Sequence, residues 1–303
     1  MIIPALNEEE TISKVVRDFK REMKGAEIIV YDGNSTDATR RKAKAAGAKV
    51  FVQKGRGKGT AMREVLENID TDIYLFVDAD DTYPAERAKD IIAPILNGES
   101  DMVVGTRAYR ERGAMSALHV VGNRIITGTI NLCFGMRFKD VLSGYRALSK
   151  EVAKDLYLAS SGFEVETELT INTLIKKYRI VEIPTEYRCR PKGSASKLGS
   201  FADGYIIFFT ILSLFRDYRP LLFFGTMAAT LFTAGGIIGL AVVIEWLQTG
   251  LVLRIPSAIL STLFILTAIQ LASVGMSMDM MKNNMTRLNY EIKKANKKKP
   301  IKP

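Results

Sequence analysis

Ile73-Tyr74-Leu75-Phe76-Val77-Asp78-Ala79-Asp80-Asp81-Thr82-Tyr83-Pro84 is an apolar run that ends abruptly in acids. Five consecutive apolar residues read as a strand buried on both faces, as in a parallel sheet. Similar short runs are Glu27 to Tyr31, Lys49 to Val52 and Met102 to Val104. Between them, Thr11 to Met23, Asp37 to Ala46, Thr60 to Asn68 and Ala85 to Leu96 have helical patterns. Strand then helix, repeated, predicts an α/β domain with a mostly parallel sheet covered by flanking helices. Ligands in such sheets sit beyond the carboxyl ends of the strands. Only Met1, Ile2 and Ile3 precede Pro4, so the first strand reads as cut short, and no cleavable signal peptide is visible.

Asp78 and Asp80, two apart at a strand end, can face one hard cation where the chain turns. By itself this pattern is also what a loop of solvated acids gives. Asp32 follows the strand Glu27 to Val30, and Gly33 and Asn34 suit a tight turn with positive φ. Asp32 is therefore read as a ligand-binding carboxylate, and Ser35, Thr36 and Asp37 as a capped turn. Pro4-Ala5-Leu6-Asn7-Glu8 likewise leaves a strand and opens a helix. In Gly55-Arg56-Gly57-Lys58-Gly59, backbone N–H groups and Lys58 can meet phosphate. Gly59 follows Lys58, so this is not the nucleotide loop of ATPases.

These four stretches resemble glycosyltransferase family 2, whose fold is the GT-A type. Val104-Gly105-Thr106-Arg107, Gly122-Asn123-Arg124, Asp140 to Arg146 and Arg190 to Leu198 are similar to its polyprenyl-phosphate branch, which includes the dolichyl-phosphate mannose and glucose synthases. The resemblance implies donor-nucleotide binding by Pro4, Leu6, Glu8, Asp32, Lys58 and Asp78. It implies Mg²⁺ or Mn²⁺ on Asp78 and Asp80. Arg107, Arg124 and Ser143 would bind the acceptor phosphate, the two arginines with catalytic weight beside Asp78 and Asp80. Arg190 and Lys197 would close over the diphosphate. Leu6 stands where mannose synthases often carry an aromatic residue, and Thr82 where some relatives carry a metal-binding glutamine. The implied activity is inverting transfer of glucose or N-acetylglucosamine from a UDP-sugar to dolichyl or polyprenyl phosphate. GDP-mannose is the alternative donor. A sugar-hydroxyl acceptor with Asp140 as base, and a non-catalytic membrane assembly role, are rival readings.

The C-terminal third has a different character. Leu221 to Leu247 contains one charge, Glu245, and Ile255 to Met278 contains none. Each is long enough to cross ~30 Å of hydrocarbon as a helix. They predict a hairpin at 220–281, with a GT-A domain at 1–199, an interfacial segment at 200–219 and a basic tail at 282–303. That tail has eight basic residues and one acid, a net +7 out of +10 for the chain. It also fits attraction to anionic membrane lipid, so no nucleic-acid partner is expected. The basic flanks place the domain and both termini in the cytoplasm by the positive-inside rule. A second copy joined through the hairpin is left open. Cys133 and Cys189 have no metal spacing, which suits a reducing compartment.

Overall fold

The computed structural model describes residues 1–297 except 112, 116, 163 and 192–201. The chain divides into two units, Met1–Ile211 and Leu212–Pro303. The first begins with β1 (Ile2–Ala5), α1 (Ile12–Glu22), β2 (Ile29–Asp32), α2 (Thr39–Ala45), β3 (Lys49–Val52), α3 (Lys58–Asn68) and β4 (Ile73–Phe76). A 3₁₀ turn (Ala85–Arg87) leads into α4 (Ala88–Leu96), then β5 (Met102–Arg110), α5 (Ala117–Phe134), β6 (Arg146–Ser149), α6 (Lys150–Asp155), α7 (Val165–Ile175) and β7 (Ile180–Tyr187). The sheet order is β3-β2-β1-β4-β6-β5-β7, and β6 alone runs against the rest.

Side-chain alternation in the strands makes two cores. Ile3, Val30, Leu75 and Val103 pack against Ile12, Val15, Val16 and Phe19 of α1 and Ala88 and Ile91 of α4. Ile2, Ile29, Tyr74 and Met102 face Met62 and Val65 of α3, Val152 of α6 and Leu169 of α7. The i, i+3, i+4, i+7 spacing in α1 is the helical complement of the strand period of two.

The first strand is longer than its sequence suggests, because Pro4 lies inside it. Ile29 N–H donates to Met1 O and Gly33 N–H to Ala5 O, whereas Val77 N–H donates to Ile2 O. Pro4 nitrogen therefore faces β4, and β1 pairs with β4 only at Ile2. The missing N–H breaks no ladder. Beyond Ile2 the two strands are no longer paired.

Arg146 opens β6 and is fully buried. It donates from Nε to Ser143 O (2.6 Å), from Nη1 to Thr170 Oγ1 (2.7 Å) and from Nη2 to Val141 O. Burial presses its pKa down, and Glu166 supplies the largest compensating charge. Arg146 thus ties the loop before β6 to α7.

Helix α8 (Ala202–Tyr218) takes the place of the expected interfacial segment. In the second unit, α9 (Pro220–Thr249) and α10 (Ile255–Lys297) are antiparallel. Gly275 lies against Phe224 and Leu221, and Gly235 against Phe264 and Ile265. Ser261 Oγ donates to Gly235 O at 2.8 Å. Small residues that let two backbones approach are how apolar helices pair in membranes. Pro220–Thr249 and Ile255–Met285 are both long and apolar enough to cross one, with mean hydropathies of 2.2 and 1.9. The basic segment expected as a tail from 282 continues α10 to Lys297, since no Gly or Pro interrupts it between Gly275 and Pro300.

Replacing Arg146 with Met would leave two buried carbonyls and a hydroxyl without their donor. At ~1–3 kcal/mol per unsatisfied group, Arg146→Met should lower unfolding stability by about 3 kcal/mol or more. Chemical denaturation of the purified protein measures this, and a loss below about 1 kcal/mol would show the loop to be held by other contacts.

Candidate active site

The candidate site lies at the carboxyl ends of β1, β2 and β4. Asp32 is fully buried at the end of β2. Its Oδ2 accepts Ser35 N–H at 3.1 Å and pairs with Arg40 Nε at 3.0 Å. Its Oδ1 has no partner among the described residues. A buried acceptor without a donor is costly unless something supplies one. The neighbouring backbone is built for this turn. Asn34 has φ of 66°, and a Cβ on Gly33 would sit 3.3 Å from both Ala5 O and Leu6 Cβ. Asn7 N–H donates to Ser35 Oγ and Thr36 N–H to Asn7 Oδ1, locking the first two strand ends together. Pro4 is half-buried, Leu6 is exposed, and Glu8 is buried with its N–H on Thr39 Oγ1.

The glycine loop works differently from its sequence reading. Gly59 N–H, and at longer range Thr60 N–H, donate to Ser161 O rather than facing a phosphate. A Cβ on Gly57 (φ 90°) would lie 2.2 Å from Ser161 O, and one on Gly59 2.3 Å from Ser160 O. The glycines are there because another stretch of backbone packs on them. That stretch is held in turn by acids at the start of α7. Glu164 accepts Ser161 and Gly162 N–H, and Glu168 accepts Ala159 and Ser160 N–H.

Between those acids stands Glu166, which sequence reasoning missed. Its Oε1 and Asp78 Oδ1 each lie 2.5 Å from Lys58 Nζ. Glu166 Oε2 is buried with no partner among the described residues. Burial alone would lower the Lys58 pKa, but the two carboxylates outweigh it and raise it above the lysine range. A Cβ on Gly144 would be 2.5 Å from Asp78 Oδ2 and 2.8 Å from Lys58 Nζ. The signal in the sequence was Glu164-Val165-Glu166-Thr167-Glu168 at the start of an otherwise uncharged helix.

Asp80 is buried and pairs with Arg190 at 2.6 Å through Oδ2, while Thr82 Oγ1 donates to its Oδ1 at 2.6 Å. Burial, reinforced by the charge on Asp78, raises the Asp80 carboxyl above the ordinary range, with Arg190 pulling it down. Asp78 and Asp80 thus each meet a cationic side chain at the strand end. They can offer two hard oxygen ligands to a divalent cation, the remaining positions falling to phosphate oxygens and water. No third metal-type ligand joins them among the described residues.

On the far side of β4, Arg107 differs from its expected role. Its Nε and Nη2 each donate at 2.7 Å to Asp140, which also accepts Arg107 N–H (3.1 Å) and Asn123 Nδ2 (3.1 Å). The guanidinium lies over the Tyr187 ring, 5.5 Å from its centroid. Both groups are buried. Burial would raise the Asp140 carboxyl, but Arg107 outweighs it and holds it below the usual range. Ser143, expected at an acceptor phosphate, is fully buried and donates to Gly105 O at 2.5 Å, with Tyr83 Oη 3.2 Å away. Arg124 is exposed on α5. Lys197 lies outside the described residues.

The profile described as glycosyl transferase family 2 matches residues 1–157. A Haloferax volcanii protein named glycosyltransferase AglJ is 38% identical over 282 residues, 92% of each chain. A dolichyl-phosphate hexose transferase of the same organism is 30% identical, covering 72% of this chain and 94% of its own. Among solved structures, glucosyl-3-phosphoglycerate synthase from Mycobacterium tuberculosis in complex with Mn²⁺ and UDP-glucose superposes with a TM-score of 0.58. It is 26% identical, over 70% of this chain and 77% of that one.

The Arg107–Asp140 pair sets a stability expectation. Removing one partner of a buried pair leaves the other charge uncompensated, at ~3–5 kcal/mol. Arg107→Leu should lose about that much in denaturant unfolding at neutral pH. Because folding depresses the Asp140 pKa, the pair's contribution is complete above the pH at which a free aspartate titrates. It is lost as pH falls through the folded value. Arg107→Leu should therefore also flatten the acid limb of the stability profile. A variant as stable as the parent, with the same acid limb, would contradict the buried pair.

Proposed function

The chain belongs to glycosyltransferase family 2, and from that premise we propose that it moves glucose or N-acetylglucosamine from a UDP-sugar to dolichyl or polyprenyl phosphate with inversion at the anomeric carbon. The observation that carries the choice of nucleotide is Asp32. Each carboxylate oxygen offers about two acceptor positions, and those of Oδ2 are taken by Ser35 and Arg40. One buried oxygen, Oδ1, is left. Uracil presents a single ring N–H between two carbonyls and suits one acceptor. Guanine presents two parallel N–H groups, which a carboxylate meets with both of its oxygens side by side; with Oδ2 engaged, this disfavours GDP-mannose.

Two features support a phosphate acceptor. Asp140, the candidate base for a sugar hydroxyl, already accepts four donors and has a depressed pKa, so it is a poor base. A phosphate is already an anion near neutral pH and needs none. The two apolar helices would hold the catalytic unit at the bilayer where an isoprenoid phosphate resides. A relative of 30% identity is named a dolichyl-phosphate hexose transferase.

Within this reading, Asp32 orients the base, with Pro4, Leu6 and Glu8 around the nucleotide. Asp78 and Asp80 hold Mg²⁺ or Mn²⁺, which neutralises charge on the departing diphosphate. Lys58 and Arg190 add positive charge beside them. Lys197 would join Arg190 in closing over the diphosphate. Arg124 supplies the exposed guanidinium for the acceptor phosphate. Arg107, spent on Asp140, acts chiefly by holding the end of β5 against the loop before β6, and Ser143 acts by supporting Gly144. Catalysis then rests on alignment and charge neutralisation.

Labelled UDP-glucose, UDP-N-acetylglucosamine and GDP-mannose, each offered with a polyprenyl phosphate and Mn²⁺, test the proposal. Lipid-phosphate hexose should form from a UDP-sugar, and excess chelator should abolish it. Asp32→Asn should reduce kcat/KM for that donor by about ten- to a hundredfold, the worth of a charge-assisted bond of ~1.5–3 kcal/mol. Turnover of GDP-mannose alone would overturn the nucleotide assignment, and full activity in chelator the metal.

The flanks of α9 and α10 also propose an orientation. Arg216 and Arg219 precede the first apolar helix and the basic segment follows the second, while Arg254 stands alone between them. The catalytic unit and C-terminus should be cytoplasmic. Protease added outside sealed, right-side-out vesicles should spare both; cleavage of the C-terminal segment would reverse the assignment.

A further inference from the structure

Helix α10 is longer than its partner. A Cβ on Gly275 would lie 3.4 Å from the carbonyl oxygen of Pro220, the first residue of α9. From there α10 runs on past the end of α9 to Lys297, about 30 Å of helix at ~1.5 Å per residue. Asp279 is the first charge after Arg254, so most of this extension stands beyond the apolar span. Its apolar residues keep a strict repeat. Val274, Met278, Met281, Met285, Leu288 and Ile292 follow one another at steps of four and three. That is the a and d pattern of a heptad, a seam that repeats every ~3.5 residues. From Met281 to Lys297 every Met, Leu and Ile of the sequence falls on it. The seam is open: Val274 is 43% exposed, Met281 68%, Met285 54% and Leu288 53%.

We propose that this seam pairs with the same seam of a second copy, as a parallel two-stranded coiled coil rising from the membrane. The stripe occupies two positions in each heptad, the narrow seam of a coiled coil, whereas a helix lying in a lipid interface buries a broader face. By register, Arg287, Lys293, Lys294 and Lys297 fall at positions b, c and f, away from the seam. In a parallel pair each g position meets the partner's e position five residues on. That brings Asn284 to Asn289 and Glu291 to Asn296, so like charges do not meet there. Leu288 at d and Ile292 at a are the combination that favours two strands. No Gly or Pro after Gly275 bends the helix down onto a surface before it ends at Lys297. Two chains with one orientation in the same bilayer present their extensions pointing the same way, which makes the pairing parallel. The assignment rests on reading α9 and α10 as membrane spans. It goes beyond the proposed function by joining two catalytic units at one patch of membrane.

The test uses the full chain with Cys133 and Cys189 replaced by Ser, reconstituted at a low protein-to-lipid ratio in phosphatidylcholine–phosphatidylglycerol vesicles. Single cysteines are placed on the seam as Met281→Cys and, separately, Leu288→Cys. Asn283→Cys and Tyr290→Cys, both at position f, report the opposite face. Flotation after alkaline washing is read first. A chain that fails to float strikes the span reading and with it the parallel orientation, whereas a floating chain tests the seam by itself. With copper–phenanthroline as oxidant, both seam cysteines should form disulfide-linked dimers at least about tenfold faster than the two at f, the margin set by the seam's facing its partner. Adding Met285→Asp to the Met281→Cys chain should bring its rate down to that of Asn283→Cys. Equal rates on both faces, no linkage on either, or a Met281→Cys rate indifferent to Met285→Asp would overturn the proposal. So would quenching of a fluorophore on Leu288→Cys by lipid-borne nitroxide, which would lay the helix on the bilayer.

Discussion

Two carboxylates at the end of a buried strand require positive charge nearby, and much of the catalytic unit is arranged around that requirement. Asp78 takes it from Lys58 and Asp80 from Arg190. Lys58 is held by backbone packing as well as by its own side chain. Gly57 and Gly59 let the loop lie directly on Ser160 and Ser161, which Glu164 and Glu168 grip by their N–H groups. Glu166, between those two acids, completes the cage around the ammonium. Gly144 closes the other side, and Arg146 fixes the loop that brings it there. Weak individual bonds add up here because each one also positions the next.

The acceptor-side frame follows similar logic with a different outcome. Arg107 commits its Nε, one Nη and its backbone N–H to Asp140. Their pair joins β5, the loop before β6 and α5 through Asn123. An exposed guanidinium on the same helix, Arg124, is left with the freedom that Arg107 lacks. Two arginines of similar appearance in sequence thus sit in different surroundings, one buried and paired, the other exposed.

What could be read from the sequence was what periodicity records. The apolar runs ending at Asp32 and Asp78 form strands, and the helices between them cover both sheet faces. The two C-terminal apolar runs form paired helices. β6 was missed because it is four residues long and begins with an arginine, whose burial depends on Ser143 O, Val141 O and Thr170 Oγ1 being brought around it by the fold. β7 was missed because Glu182, Pro184 and Glu186 dilute its apolar pattern. Gly55 to Gly59 was read as a phosphate loop because glycine reports only that something comes close. Here the thing that comes close is another part of the chain. Glu166 could not be placed for the same reason: its meaning lies in Lys58, far away in sequence.

The sheet order has a consequence for how the protein is made. β5 pairs with β6 on one side and with β7 on the other, and β7 is the last strand of the unit to be synthesised. Until Tyr187 has left the ribosome, one side of β5 offers unpaired backbone groups, the kind of open border that recruits strands from other chains. The same delay leaves Asp80 without Arg190. The first apolar helix begins only at Pro220, so the interval between finishing the sheet and delivering the chain to a membrane is short. Nascent chains of this protein therefore pass through a stage in which the carboxylates are present, the sheet is open and the anchor is still to come.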